Sequence, residues 1–480
     1  MRARLLTSEN RKWWTLGAVS FALFMIMLDN TVVNVALPSI QRGLGAGISE
    51  LEWVVNAYAL TFAVLMLTGG KLADMFGRKR IFLIGLAVFA GSSLACGLAG
   101  SAGELVAWRA AQGAGAALMM PATLALITNA FPPKQRGMAL GIWAGVSAMA
   151  LAIGPLVGGL LTEHVNWSWI FFINVPVGVV GIAVGWFVIV ESRDTSKEQR
   201  LDLPGVLLSA GGLFALTFGL IEANRYGWTS PIILGLFIGA AVGLAAFVLV
   251  EARGRAPMLD LSLFRNGTFL GANLVALLVT LAMFGVFFFM SLFVQQILGY
   301  SPVEAGAIFL PMTILIIIVA PLAGKLSDRV GSRWLMSGGL TLLAISLIVF
   351  SRLEIGDGFW NILPALLVGG IGMASVMTPM SAAAMGSAPV RKAGVAGGVL
   401  NTFRQVGGAL GIAVMGAILT SQESSALASG ASPQQAFVDG IHVAFLVGAA
   451  FAFAGALTAI VLVRKLEHHH EAPSALEAAG

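Results

Sequence analysis

Apolar stretches of roughly twenty residues alternate along the chain with short polar segments. Fourteen can be counted, at approximately 14–36, 51–69, 81–100, 104–128, 137–161, 169–190, 203–222, 231–250, 268–294, 304–324, 334–351, 361–386, 395–420 and 440–463. A helix needs about 20 such residues to cross the ~30 Å hydrocarbon core of a bilayer. The pattern predicts an all-α membrane protein of fourteen spans, and an even number puts both termini on one side. One carboxylate breaks the first stretch: Asp29 in "MIMLDNTVVNVALPSI". Its place in an apolar run is costly and asks for a reason.

Composition agrees. The 480 residues are 58% hydrophobic and 11% charged, roughly half the charge usual in soluble domains. That excludes a water-soluble enzyme or regulator. The 59 glycines suit close helix packing in lipid. The basic excess is a topology signal rather than a nucleic-acid footprint. The segments "KLADMFGRKR", "PPKQRG", "ESRDTSKEQR", "EARGRAPMLDLSLFR", "KLSDRVGSR" and "PVRKAG", with the two termini, hold 23 of the 28 Lys and Arg; the opposite loops hold Arg42, Arg225 and Arg352. Basic loops stay in the cytoplasm, so both termini are predicted cytoplasmic, in a multi-pass protein of the cell membrane. The single cysteine, Cys96, allows no disulfide framework. The basic N-terminus leads into a span with no small-residue cleavage site, so that span is read as retained. Three histidines in the polar tail make a poor metal site, and no metal is expected.

The chain repeats itself. "GKLADMFGRK" (70–79) recurs as "GKLSDRVGSR" (324–333), 254 residues on, each after the second span of a six-span block. The predicted division is an N-terminal six-helix half (1–192), a two-helix insertion (193–264), a C-terminal six-helix half (265–466) and a polar tail (467–480). Parallel six-span halves are one way secondary transporters are built, with substrate bound between them.

Four stretches carry a resemblance. "GGKLADMFGRKR" resembles the loop motif between spans 2 and 3 of the major facilitator superfamily. "LVAWRAAQGAGAA" (105–117) and "ALAIGPLVGGLL" (150–161) resemble the span 4 and span 5 motifs of its drug:proton antiporters, although Ala150 stands where the second usually begins with glycine. "LDNTVVNVALPSI", with "WVVNAYAL" and "WSWIFFINVPVG", resembles the fourteen-span members in particular. The resemblance covers essentially the whole chain. It implies gating by Gly70, Asp74, Gly77, Arg78 and Asp328, the counterpart of Asp74. It implies proton coupling by Asp29 and Arg109, and a bend and leak barrier at Gly154, Pro155, Gly158 and Gly159.

Physical reasoning runs beside each assignment. Gly70 and Gly77 allow tight turns, and Asp74 lies where it could cap a helix N-terminus. Desolvation favours the neutral form of a carboxyl group, so a buried aspartate can load and release a proton; the plain alternative is a structural Asp29 pairing with Asn30, Asn34 or a neighbouring helix. Arg109 either couples protons or snorkels to the interface beside Glu104 and Trp108. Glu222, ending span 7, either takes part in proton coupling or substrate reading at the mouth, or marks a loop. Arg404 lies within span 13 and pairs with a carboxylate or a carbonyl. With Asn34, Tyr58, Phe288 and Met377 it is a candidate for the substrate cavity, where thioether and aromatic walls adapt to greasy ligands. The same side chains could simply pack.

No GxxxxGK[ST] is present, so the chain has no phosphate loop of its own. The reading is a non-enzymatic, monomeric antiporter without cofactor, driven by the proton gradient. It would export hydrophobic, often cationic, drugs or toxic compounds. A dedicated exporter of one metabolite or antibiotic is the alternative; a membrane sensor or enzyme would need an output domain or catalytic constellation that is not seen.

Overall fold

In the computed structural model the described residues are 8–193, 202–254, 259, 261–388 and 393–464; the tail histidines lie outside them. They form fourteen long helices. The first six are α1 (Ser8–Leu44), α2 (Ile48–Phe76), α3 (Arg78–Leu98), α4 (Ala102–Ala130), α5 (Pro133–His164) and α6 (Trp169–Val188, interrupted at Ile173). Then come α7 (Leu203–Tyr226) and α8 (Pro231–Arg253). The last six are α9 (Gly267–Ile297), α10 (Pro302–Ala307 continued by Leu310–Val330), α11 (Ser332–Phe350), α12 (Phe359–Gly386), α13 (Ala393–Ala428) and α14 (Pro433–Leu462). Thirteen are long and apolar enough to cross a membrane, judged on the described residues, and α5 completes the fourteen. Several outrun the apolar stretches that predict them. α1 has 37 residues, because its ladder of backbone hydrogen bonds continues into the polar ends.

Local chemistry sets the helix ends. Ser101, Ser230 and Ser432 accept hydrogen bonds from the third residue of α4, α8 and α14. Proline opens α5, α7, α8, α10 and α14, where no amide donor is needed. The repeated motif makes the same turn twice: Gly77 has φ +113° and Gly331 φ +97°, conformations costly for any side chain. Gly70, by contrast, lies inside α2 against Pro121 and makes no turn.

Packing follows the repeat. Before residue 194, α1 packs on α5, α3 on α4 and α6, and α2 on α4; after 266, α9 packs on α13, α11 on α12 and α14, and α10 on α12. α7 and α8 pack on each other, with α7 against α2 and α13. Glycines make the close approaches. A Cβ on Gly158 would stand 2.8 Å from the Val32 carbonyl oxygen, and one on Gly154 would run into Thr31. Ala150, where the family motif has glycine, has its counterpart 257 residues on in Gly407, which lies against the Leu277 carbonyl as Gly411 lies against that of Leu281.

Two seams join the blocks. At one, Gly159 meets the Pro302 carbonyl and Gly306 meets that of Pro155. The other runs antiparallel between α2 and α13. Glu52 touches Gly416, Ala59 and Leu60 pack on Ala409, and Thr402 reaches the Met66 sulfur at 4.0 Å. Cross-seam hydrogen bonds cluster at the bundle end opposite the termini: Gln295 Nε2 to the Val35 carbonyl (2.9 Å), Gln296 Nε2 to Gln41 Oε1 (2.6 Å) and the Val303 amide to Glu163 (2.9 Å). That end is closed.

Two outcomes test this arrangement. Cysteines replacing Arg193 and Thr229, both exposed at opposite ends of the bundle, label with an impermeant maleimide only from the cytoplasm and only from outside, respectively; labelling from one side breaks the fourteen-span topology. Gly158→Leu inserts normally but lowers the melting temperature in detergent by several degrees, because the side chain must enter the Val32 backbone. An unchanged melting temperature would mean that α1 and α5 are not in contact.

Candidate functional site

The most polar place in the apolar interior is a network around Asp29, halfway along α1 and 0% exposed. Its partner is Arg109 of α4, 1% exposed, whose Nη1 donates to Asp29 Oδ2 at 2.6 Å. The same nitrogen donates to Gln112 Oε1 (2.8 Å), and Nε donates to the Val54 carbonyl of α2 (3.0 Å). Gln112 Nε2 returns to Asp29 Oδ1 at 2.9 Å. Ser93 of α3 accepts from Gln112 (3.2 Å) and from Asn174 of α6 (3.1 Å), and donates to the Phe171 carbonyl (2.8 Å). Asn174 adds a long contact to Asp29 Oδ1 (3.4 Å). The guanidinium lies 4.3 Å from the Tyr58 ring centroid and 5.7 Å from that of Phe171.

Five helices thus converge on one ion pair. Both oxygens of Asp29 accept hydrogen bonds and the guanidinium has aromatic faces beside it, so the charges are matched without water. Arg109 does not snorkel, and its charge stays in the core. Removing one partner of such a pair typically costs about 3–5 kcal/mol, because the other is stranded.

The remaining candidates are dispersed. Asp74 does not cap α3. It pairs with Arg78 at 2.8 Å in an i,i+4 bridge, while Glu191 caps that helix by accepting from the amides of Lys79 (3.0 Å) and Arg80 (3.2 Å). The difference is one of reach: Asp74 sits in the last turn of α2, before the bend at Gly77. The Asp328 side chain lies outside the described residues. Tyr58 and Phe288 are fully buried, Tyr58 under Arg109 and Phe288 against Phe289, so neither opens on a cavity in this conformation. Asn34, partly buried, donates to the Asn30 carbonyl at 3.4 Å. Among the described residues Arg404 pairs with neither carboxylate nor carbonyl: its Nη2 meets the Met377 sulfur at 2.7 Å. Glu222 is buried, accepts from Ser49 (2.8 Å) and lies 3.7 Å from Arg225. It is far along the chain from the Asp29 network and shares no residue with it.

Several polar residues escaped sequence reasoning. Gln112 lies one turn from Arg109 inside the quoted "WRAAQG", where its i,i+3 spacing to a charged residue was the available signal, and Asn174 lies inside "FFINVPVG" with no charged residue one turn away. Glu52, just before "WVVNAYAL", is 2% exposed and has no hydrogen-bond or ion-pair partner among the described residues. One turn on, Asn56 is fully buried, and neither of its side-chain polar atoms has a partner among the described residues.

The model of the Major Facilitator Superfamily matches residues 19–412. The chain belongs to that superfamily. It is 38% identical to the tetracenomycin C resistance and export protein of Streptomyces glaucescens, over 86% of this chain and 77% of that one. It is equally identical to a puromycin resistance protein of Streptomyces alboniger, over 95% and 91%. The multidrug transporter protein MdtP of Bacillus subtilis is 32% identical over 87% and 77%. Among solved structures, an inward-facing bacterial homolog of the human lysosomal transporter Spinster superposes with a TM-score of 0.68 at 18% identity, covering 96% of this chain and 98% of that one. The peptide transporter PepTSo gives 0.70 at 16%, covering 95% and 98%. For this superfamily member the two superpositions establish the fold alone.

A double-mutant cycle measures the pair. Asp29→Asn and Arg109→Gln each lower the unfolding free energy by about 3 kcal/mol, while the double variant loses less than the sum of the two. Simple additivity, read by thermal unfolding in detergent, would show that the two side chains do not interact.

Proposed function

We propose that this chain exports hydrophobic, drug-like molecules from the cytoplasm across the plasma membrane in exchange for protons. The observation that carries the proposal is the Asp29–Arg109 pair, sealed from water in one block of a superfamily member whose relatives are named for resistance and export. Asp29 is the proton carrier. Arginine keeps its proton at any accessible pH, so Arg109 biases the carboxylate rather than exchanging with it. Protonating Asp29 removes the anion from the pair. Arg109 is then held by the Val54 carbonyl and Gln112 alone. The tie between α1 and α4 weakens, and the two blocks can exchange one closed end for the other.

The glycine contacts between α5 and α10 serve as the leak barrier, because two backbones in contact leave no path for water or ions. The Asp74–Arg78 bridge and the Glu191 cap hold the loop at the terminal face, which acts as the gate there. The chain works as a monomer, with both termini in the cytoplasm and no cofactor. The test is proton release when a transported dye is added to detergent-solubilised protein in weak buffer. Wild type releases protons, and Asp29→Asn releases at least tenfold fewer per dye bound. Equal release by the two makes Asp29 a structural residue. Export of several unrelated dyes from proteoliposomes under a pH gradient supports polyspecific transport, and export of one alone would point to a dedicated carrier.

A further inference from the structure

Arg404 is a cation in the apolar interior with no anion paired to it among the described residues. It lies eleven residues into α13, roughly 16 Å from the terminal face at 1.5 Å per residue, and so near mid-membrane. Its recorded contact is the thioether of Met377 on α12, a weak acceptor that cannot balance a full charge. The described acids nearest the membrane interior are engaged or placed elsewhere. Asp29 is engaged by Arg109 on another block. Glu52 touches Gly416, twelve residues further along α13, or roughly 18 Å. Glu222 accompanies Ser49 near the same closed end, and Glu423 lies beyond Gly416 on α13 itself. Asp74 sits on the last turn of α2, bridged to Arg78.

Arg404 is also not turned to lipid. α13 is packed against α2, α4, α7, α9, α12 and α14, so Arg404, partly exposed like Asn401 and Met377, lies on a helix enclosed by six others. Charged groups inside a membrane are paired or mark a ligand path. Guanidinium is the side chain best suited to grip a planar carboxylate through two parallel hydrogen bonds. Met377, Met373 one turn before it on α12, and Phe284, which faces Gly408 one turn beyond Arg404 on α13, are partly buried apolar side chains that suit the ligand's greasy body.

We infer that Arg404 binds an acidic group, a carboxylate or an acidic phenolate, on the hydrophobic molecules this protein carries. The inference deepens the export reading by naming the chemistry recognised at mid-membrane, and it leaves room for uncharged and cationic ligands that do not use Arg404.

The probes are salicylate, its uncharged amide salicylamide, and benzylamine, each added to purified full-length protein in detergent at constant ionic strength. Thermal unfolding is followed across a concentration series. Salicylate raises the melting temperature of wild type saturably, and salicylamide does so at least tenfold less potently. Arg404→Gln weakens apparent salicylate binding at least tenfold and leaves benzylamine unchanged, whereas Arg404→Lys retains part of the effect. Three outcomes overturn the inference: equal potency of salicylate and its amide on wild type, undiminished salicylate binding by Arg404→Gln, or equal stabilisation by sodium chloride alone. The first and third need only wild type, so a variant that fails to fold leaves the test intact. Salicylate binding that depends on Arg404, in a protein that exports nothing from proteoliposomes, would sink the export reading and keep this one.

Discussion

A carboxylate and a guanidinium that meet where water cannot reach must find each other or pay in several kcal/mol. Asp29 and Arg109 organise their block of the molecule around that requirement. Gln112 bridges them, Ser93 and Asn174 hold Gln112 and the carboxylate in place, and the Val54 carbonyl steadies the guanidinium. α1, α2, α3, α4 and α6 are thereby registered against one another by polar contacts that tolerate little sliding, while the surrounding apolar packing alone would tolerate more.

Between the blocks the rule reverses. One seam sets glycines of α5 and α10 against bare backbone, the other packs mostly apolar side chains of α2 on α13, and few hydrogen bonds cross between the blocks among the described residues. Such surfaces pack closely without strong directional ties, so they can part and re-form. A rigid block joined to its neighbour by a shallow, smooth seam is what a rocking motion needs. Glu52 is the exception at that seam: an acid pressed against Gly416, where any side chain in place of the glycine would collide with it.

Much of this was legible in the sequence. Span number, the repeat and its shared glycine turn follow from periodicity and local chemistry, which act within a few residues of each other. The importance of Asp29 followed from the cost of a charge in an apolar run. Its partner was not legible: the sequence offered Asn30, Asn34 or a neighbouring helix, since nothing in one sequence reports that two residues 80 positions apart are in contact. The same gap explains where this conformation departs from the sequence reading. Tyr58 and Phe288 looked like cavity walls because aromatic residues pack and bind alike, and the difference lies in which way a helix is turned. Glu52 passed unnoticed because an acid at the start of a span ordinarily faces water, and only α13 and α7, contributed from far along the chain, enclose it.

The 80-residue separation of Asp29 from Arg109 also has a history in time. A ribosome adding about 5–20 residues per second produces the arginine roughly 4–16 s after the aspartate. For that interval the first span has its acid and not its counter-charge. The newborn helix must either keep a proton on Asp29 or wait beside the insertion machinery until the fourth helix arrives. Biogenesis therefore poses to Asp29, once per molecule, the same choice between proton and arginine that the proposed exchange would pose in every cycle.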